Sequence, residues 1–184
     1  GIAALNGLGI TPVGNIAGLR GDGVTDDTAA IQTALNLAAS SGSYEVVLGP
    51  KQYLVNSANL VIPNRVTLRC VGGTMGEFKN PNVNPPVIDY SILPCYIRLN
   101  PAYTIQRGAQ SVVDGVNVAP STMQQAITLV NNFAGTAFTN MGSDAMLRNS
   151  TILGFDQCAV DNGQQRDRIE HVYCDARNGF LQSQ

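Results

Sequence analysis

Charge is scarce in this sequence: Asp, Glu, Lys and Arg make up 13% of the 184 residues, against 44% hydrophobic. The formal net charge is -2, so no basic surface points to a nucleic-acid or anionic-membrane partner. Tryptophan is absent and histidine occurs once, as His171. With one histidine and four cysteines (Cys70, Cys95, Cys158 and Cys174), none in CxxC spacing, neither a zinc site nor any other metal or cofactor is expected. The cysteines read first as buried free thiols, with one or two disulfides as the alternative for an extracellular protein. No apolar run reaches the length of a membrane span. The start of the chain lacks the basic region, apolar core and cleavage pattern of a secretory signal. A trimmed secreted chain would lack them too, so this absence does not place the protein in the cytoplasm.

What is present favours strands and turns. Gly occurs 19 times, alongside many Asn, Val and Thr residues. Residues 1–20 carry no sustained period and read as an extended lead-in. In GDGVTDDTAAIQTALNLAASSG (21–42), Gly21 and Gly23 permit a tight turn around Asp22. Thr25 or Asp26 can cap a helix, and Asp26 and Asp27 sit where carboxylates favour the positive end of its dipole. Ala30, Ile31, Ala34, Leu35 and Ala38 then recur at helical spacing, predicting a helix over 27–39 with Ile31 and Leu35 facing a core. A calcium loop from Asp22, Asp26 and Asp27 would lack the longer ligand pattern such loops need. The Gly-Asp-Gly turn does not match a phosphate-cradling fingerprint.

After residue 43 the period changes to short β-prone runs broken by Gly, Asn and Pro. Two departures interrupt them: a Pro/Asn-rich loop over 73–94 and a predicted second, inserted helix over 122–135. Near the end, Ile152, Leu153 and Val160 align with Val172, Tyr173 and Phe180 at a separation of twenty. A repeat of that length, with apolar positions retained and turn residues between, is what stacked coils of a solenoid produce. The final coil then offers an open edge, so a continuing chain or a partner subunit is expected to complete it.

The segment GDGVTDDTAAIQTAL, followed by Val46 to Pro50 and Gln52 to Val55, resembles the opening of the pectate-lyase superfamily of right-handed parallel β-helices. That superfamily includes phage tail spikes and exopolysaccharide depolymerases. The resemblance implies an all-β solenoid, a single-stranded right-handed parallel β-helix, occupying 21–184 with an N-terminal capping helix. It makes Gly21, Asp22, Gly23, Thr25, Asp26, Ile31 and Leu35 structural cap residues. It also implies a polysaccharide substrate or receptor, a homotrimer, and an extracellular, secreted or virion location. The usual Phe-Gly-Ala wording upstream is replaced here by Ile16 to Arg20.

Polysaccharide hydrolysis needs two carboxylates across the scissile bond. Lyase chemistry needs a base and cationic help for the developing enolate. Asp156 and Asp175, nineteen residues apart, are the expected pair on neighbouring coils, with His171 as a further candidate base. Tyr173 and Arg177 are the expected substrate-binding groups, and Tyr90, Tyr96 and Tyr103 are further candidate sugar platforms. Outward charges on any solvent-facing wall are a purely structural alternative. A non-catalytic rod carrying a receptor-binding surface competes with the enzyme reading.

Overall fold

The computed structural model describes residues 16–71, 79–80, 87–88, 95–121 and 133–182. Three parallel walls wind through five coils of a right-handed parallel β-helix. Wall A is built of β2 (Glu45–Leu48), β5 (Thr67–Cys70), β10 (Val112–Asp114), β13 (Met146–Arg148) and β16 (Arg168–Glu170). Wall B contains β1 (Asp22–Asp26), β3 (Gln52–Val55), β8 (Tyr96–Leu99), β11 (Asn117–Pro120), β14 (Thr151–Phe155) and β17 (Tyr173–Ala176). Wall C contains β4 (Leu60–Ile62), β9 (Ile105–Arg107), β12 (Thr136–Asn140), β15 (Gln157–Asp161) and β18 (Phe180–Gln182). Outside the walls, β6 (Lys79–Asn80) pairs antiparallel with β7 (Val87–Ile88), within the segment expected to be a loop. The predicted inserted helix and most of the predicted lead-in lie outside the described residues.

Strand alternation sends every second side chain into the bore. In the first coil these are Val46, Leu48, Tyr53, Val55, Leu60 and Ile62, all fully buried. Leu68, Ile97, Leu99 and Ile105 stack upon them in the second coil, and Val113, Val118 and Phe138 in the third. Each contributes about 1.5–3 kcal/mol on burial, and no coil could bury its own inner face alone. The Tyr53 hydroxyl donates to Gly49 O at 3.1 Å, and burial pushes its pKa up to about 12.

The first coil would expose three open strand edges, and the cap closes them. Strand β1 pairs with β3 and covers wall B. The expected Gly-Asp-Gly turn is present, with Gly21 (φ 62°) and Gly23 (φ 72°) in the left-handed region and Asp22 accepting Val24 and Thr25 N–H, and it runs directly into β1. Helix α1 (Thr28–Ser41) packs against β2 and β4 with Ile31 and Leu35 fully buried. On its outer side Gln32 imitates a strand: its Nε2 donates to Val61 O at 2.9 Å and its Oε1 accepts Val61 N–H at 2.7 Å. A side-chain amide therefore satisfies the backbone edge that would otherwise invite another chain.

The acidic residues of the cap divide their work differently from expectation. Position Ncap belongs to Asp27, whose side chain makes no bond to the helix. Its carboxylate reaches back to accept Arg20 N–H at 2.7 Å and Gly21 N–H at 3.0 Å. Asp26 accepts from the backbone N–H and hydroxyl of Thr28 and from Asn56 N–H. Thr25 is not the helix N-cap: its N–H and hydroxyl both donate to Asp22.

Two further expectations are corrected. The cysteines are not free thiols: Cys70 bonds Cys95 and Cys158 bonds Cys174, with Cα–Cα distances of 5.8 and 6.1 Å. The first pair clamps the two ends of the excursion after β5, and the second ties the fourth coil to the fifth. The repeat is not twenty residues. Ile152 pairs with Cys174, so the period is 22 on wall B, and Val160 pairs with Leu181, so it is 21 on wall C. A shift of two keeps the inward and outward sets on wall B unchanged, which is why the shorter alignment looks satisfactory.

Polar side chains are buried at the corner between walls A and B, where Asn117, Ser150 and Thr151 are fully buried, and at the corner between walls C and A. There Arg107 is 1% exposed, beside Asn140 in register on the next strand. Burial lowers its pKa, opposed by the carboxylates of Asp167 and Asp161. Asp167 accepts Ala145 N–H at 3.1 Å, and burial raises its pKa although Ala145 and Arg107 act against the shift.

Candidate functional site

The fifth coil brings four of the predicted residues onto one outer strip. Cys174 and Ala176 pack against the core, so Tyr173 and Asp175 face outward on β17. His171 and Arg177 continue the same alternation at the corners on either side. From His171 to Arg177 the strip spans about 20 Å at strand rise.

His171 sits at the corner after wall A with φ 50°, where Asn149 (φ 53°) and Gly115 (φ 71°) stand in the coils below. This corner requires the left-handed region, and Gly, Asn and His are residues that tolerate it. The local fold thus accounts for the position of the single histidine, and the result is an exposed imidazole beside Tyr173. Tyr173 is 37% exposed, and its backbone N–H donates to Ser150 O at 2.9 Å.

Asp156 joins the strip from the coil below. Arg177 Nε donates to its Oδ1 at 2.6 Å and Asn178 Nδ2 to the same oxygen at 2.7 Å. The Arg177 guanidinium, helped by Asn178, holds the carboxyl below the usual carboxylate range. Asp156 is therefore an ionised acceptor rather than a proton donor at neutral pH. It does not stack on Asp175, whose register partner is Leu153. The nineteen-residue spacing rested on a period two to three residues too short. Among the described residues, Asp175 is the outward carboxylate of this strip that no arginine pairs.

Wall A beside the strip is electrostatically closed. Arg69 bonds Glu45 at 3.1 Å, and Arg148 bonds Asp114 at 3.0 Å. Arg168 bonds Glu170 at 3.2 Å, and at the adjoining corner Arg166 bonds Asp144 at 2.7 Å. Burial would raise the pKa of Asp114, but hydrogen bonds from Asn149 and Arg148 outweigh it and lower it. These pairs add little stability. Their effect is a wall of balanced charge.

The remaining candidate platforms do not join the strip. Tyr96 is 1% exposed, with its pKa pushed up to about 12 by burial. Tyr103 is half-buried against the core and Tyr90 lies outside the described residues. No group of His, Cys, Asp and Glu among the described residues is arranged to hold a metal ion. No helix among them is long and apolar enough to cross a membrane.

No family model matches the chain, and no solved structure matches it. It is similar to depolymerase 1, capsule K30/K69-specific, of Klebsiella phage K5-2, with 40% identity over 87 residues. That match covers 47% of this chain and 10% of the phage protein, so the similarity spans about a tenth of the relative's length. The chain itself is a right-handed parallel β-helix closed at its first coil by β1 and α1.

Proposed function

We propose that this chain is part of a protein that degrades a bacterial surface polysaccharide, outside the cell or on a virion. The observation that carries the reading is the conjunction of a capped five-coil β-helix with 40% identity to a phage capsule depolymerase. A rigid solenoid holds outward groups at fixed rungs, which suits a long repetitive ligand. On the strip, Tyr173 offers a face for a sugar ring, and Arg177 with Asp156 forms an ionised pair that can bond hydroxyls. Asp175 is the carboxylate we assign to proton transfer, with His171 further along the same strip as a second candidate base. Whether the bond is broken by hydrolysis or by elimination follows from the products. New reducing ends without unsaturated uronates mean hydrolysis, and unsaturated uronates mean elimination.

Incubating the complete protein with purified capsular polysaccharides tests this reading. Asp175→Asn should abolish product release while leaving the unfolding temperature unchanged. Loss of neither product nor rate would remove Asp175 from the chemistry.

The inward-facing Ile169 and Phe180 of the fifth coil are 43% and 46% exposed. We propose that further coils, or a partner subunit, cover them in an elongated homotrimer. Light scattering of the complete protein reads this directly, and a monomer mass would refute the trimer. A second reading, a binding rod without catalysis, is favoured by the Asp156–Arg177 pair, because a carboxylate held ionised by an arginine is not the proton donor that a two-carboxylate hydrolase needs.

A further inference from the structure

At the other end of the solenoid, beside helix α1, lies a cleft of about 670 Å³ lined by Tyr44, Pro63, Asn64, Arg65 and Gln110 among others. These residues come from three successive coils and meet only because the corners between walls C and A stack. The cleft is shallow and open, with Tyr44, Asn64, Arg65 and Gln110 all exposed.

The backbone presents these side chains to solvent. Arg65 (φ 67°) and Gln110 (φ 58°) share the left-handed conformation with Asp144 and Arg166, which occupy the same corner two residues before their wall A strands. For those four the conformation is the solenoid's way of turning the corner. Tyr44 is different. It precedes its strand by one residue, has φ 54°, and is 42% exposed. A bulky aromatic in that region is an outlier. Its N–H donates to Ala38 O at 3.0 Å and its carbonyl accepts Thr67 N–H at 2.8 Å. Those bonds fix the backbone that carries the ring, which lies beside Gly42 at the helix end and lines the cleft.

The polar inventory is one-sided. Asn64 Oδ1 already accepts Ala109 N–H at 2.9 Å, and Gln110 Oε1 accepts Arg65 Nε–H at 3.2 Å. Each of these two side-chain carbonyls thus already accepts one bond from the protein. The groups left most open to a ligand are mainly donors, two amide NH2 groups, the guanidinium Nη groups and the phenol, and the guanidinium is the charged one. No carboxylate lines the cleft among the described residues. The nearby carbonyls at the helix end are also occupied, Ala38 O by Tyr44 N–H and the hydroxyls of Ser41 and Ser43, and Leu37 O by Ser40. The site therefore wants an acceptor-rich ligand with an apolar face and a negative charge.

We propose that this cleft is a non-catalytic subsite for an acidic sugar residue, a carboxylate-bearing pyranose stacked on Tyr44 with its carboxylate on Arg65. The choice of a sugar rests on the carbohydrate reading above; the preference for an acidic one rests on the donor inventory. Without a carboxylate or imidazole in reach, the subsite holds the polymer and leaves cleavage to another part of the protein.

The test is a chemical-shift titration of isotope-labelled chain with sodium glucuronate, methyl glucoside and sodium acetate. Glucuronate should move the Tyr44 ring, the Asn64 and Gln110 side-chain amides and Arg65 Nε, and should bind more tightly than either control. Arg65→Gln keeps the backbone demand but removes the charge. It should weaken glucuronate by about tenfold, to the level of the glucoside. Tyr44→Ala should weaken both sugars, with unchanged strand amide shifts showing that the fold persists. No shift at these residues, an acetate affinity equal to that of glucuronate, or an unaffected Arg65→Gln variant would each overturn the proposal. The readout is independent of catalysis. A protein that depolymerises capsule without shifts at Tyr44 would refute this subsite and leave the activity standing, and the reverse pattern would do the opposite.

Discussion

Replacing Asp27 tests the cap most sharply, because the substitution separates shape from hydrogen bonding. Asp27 is fully buried, and its two carboxylate oxygens accept the N–H groups of Arg20 and Gly21. Its own N–H donates to Leu54 O at 2.8 Å and its carbonyl accepts Ile31 N–H at 3.0 Å. The side chain therefore pins the entering chain to the junction of β3 and α1. In Asp27→Ala, two N–H groups lose an ionised acceptor, each such bond being worth about 1.5–3 kcal/mol. Arg20 is exposed, so water replaces part of one bond, and a net loss of about 2–4 kcal/mol is expected. Asp27→Asn has nearly the same volume, yet one of its oxygens becomes an NH2 group facing another N–H. Donor meets donor, so Asn should recover no more than about 1 kcal/mol relative to Ala. Urea unfolding at neutral pH measures both variants. An Asp27→Asn protein as stable as the parent would refute the two-bond role of the carboxylate and with it this account of the cap.

Four other outcomes follow from the same structure. Leu35→Asp places an unpaired charge on a fully buried helix face and should cost several kcal/mol, about 3–5; an unchanged melting temperature would show that α1 does not seal the core. Replacing both Cys158 and Cys174 with Ser opens a link with a sequence separation of 16 and should destabilise by about 2–4 kcal/mol in denaturant unfolding; an unchanged midpoint would mean that the fifth coil docks without it. Hydrogen bonds from Thr25 and Val24 lower the Asp22 pKa from 3.8 to about 2. Its stabilisation is thus present above the unfolded value and lost as pH falls through the folded one, so the acid limb of stability between these values should flatten in Asp22→Asn. In the bore, Arg107 acts against the upward shift of Asp167; Arg107→Met should raise the Asp167 pKa further by carboxyl NMR, and no change would show that the two groups do not interact.

The cap was legible in the sequence because its signal is local. Ile31, Ala34, Leu35 and Ala38 recur within one helix, and all four are buried in the structure. The fourth and fifth coils were legible as a repeat because no excursion separates their strands. The second and third coils were not, since the excursions after β5 and β11 destroy any fixed spacing. The period itself was misread by two residues on wall B, an error that alternation cannot detect. That slip placed Asp175 over Asp156, whereas the register gives Asp156 to Arg177 and Asn178. Disulfide pairing was equally hidden, because it depends on which strands lie side by side and not on cysteine spacing. The cleft at Tyr44 shows the same limit: residues 44, 65 and 110 become neighbours only through coil stacking.

The proposed function makes this β-helix part of a protein that shortens a bacterial surface polysaccharide. Its most direct test is the molar mass of purified capsular polysaccharide, followed by light scattering after addition of the complete, folded protein. The account predicts a progressive fall in mass with the parent protein and none with Asp175→Asn, across at least one capsule in a panel of acidic types. A constant mass for every capsule, with the protein shown to be folded and binding none of them, would contradict it.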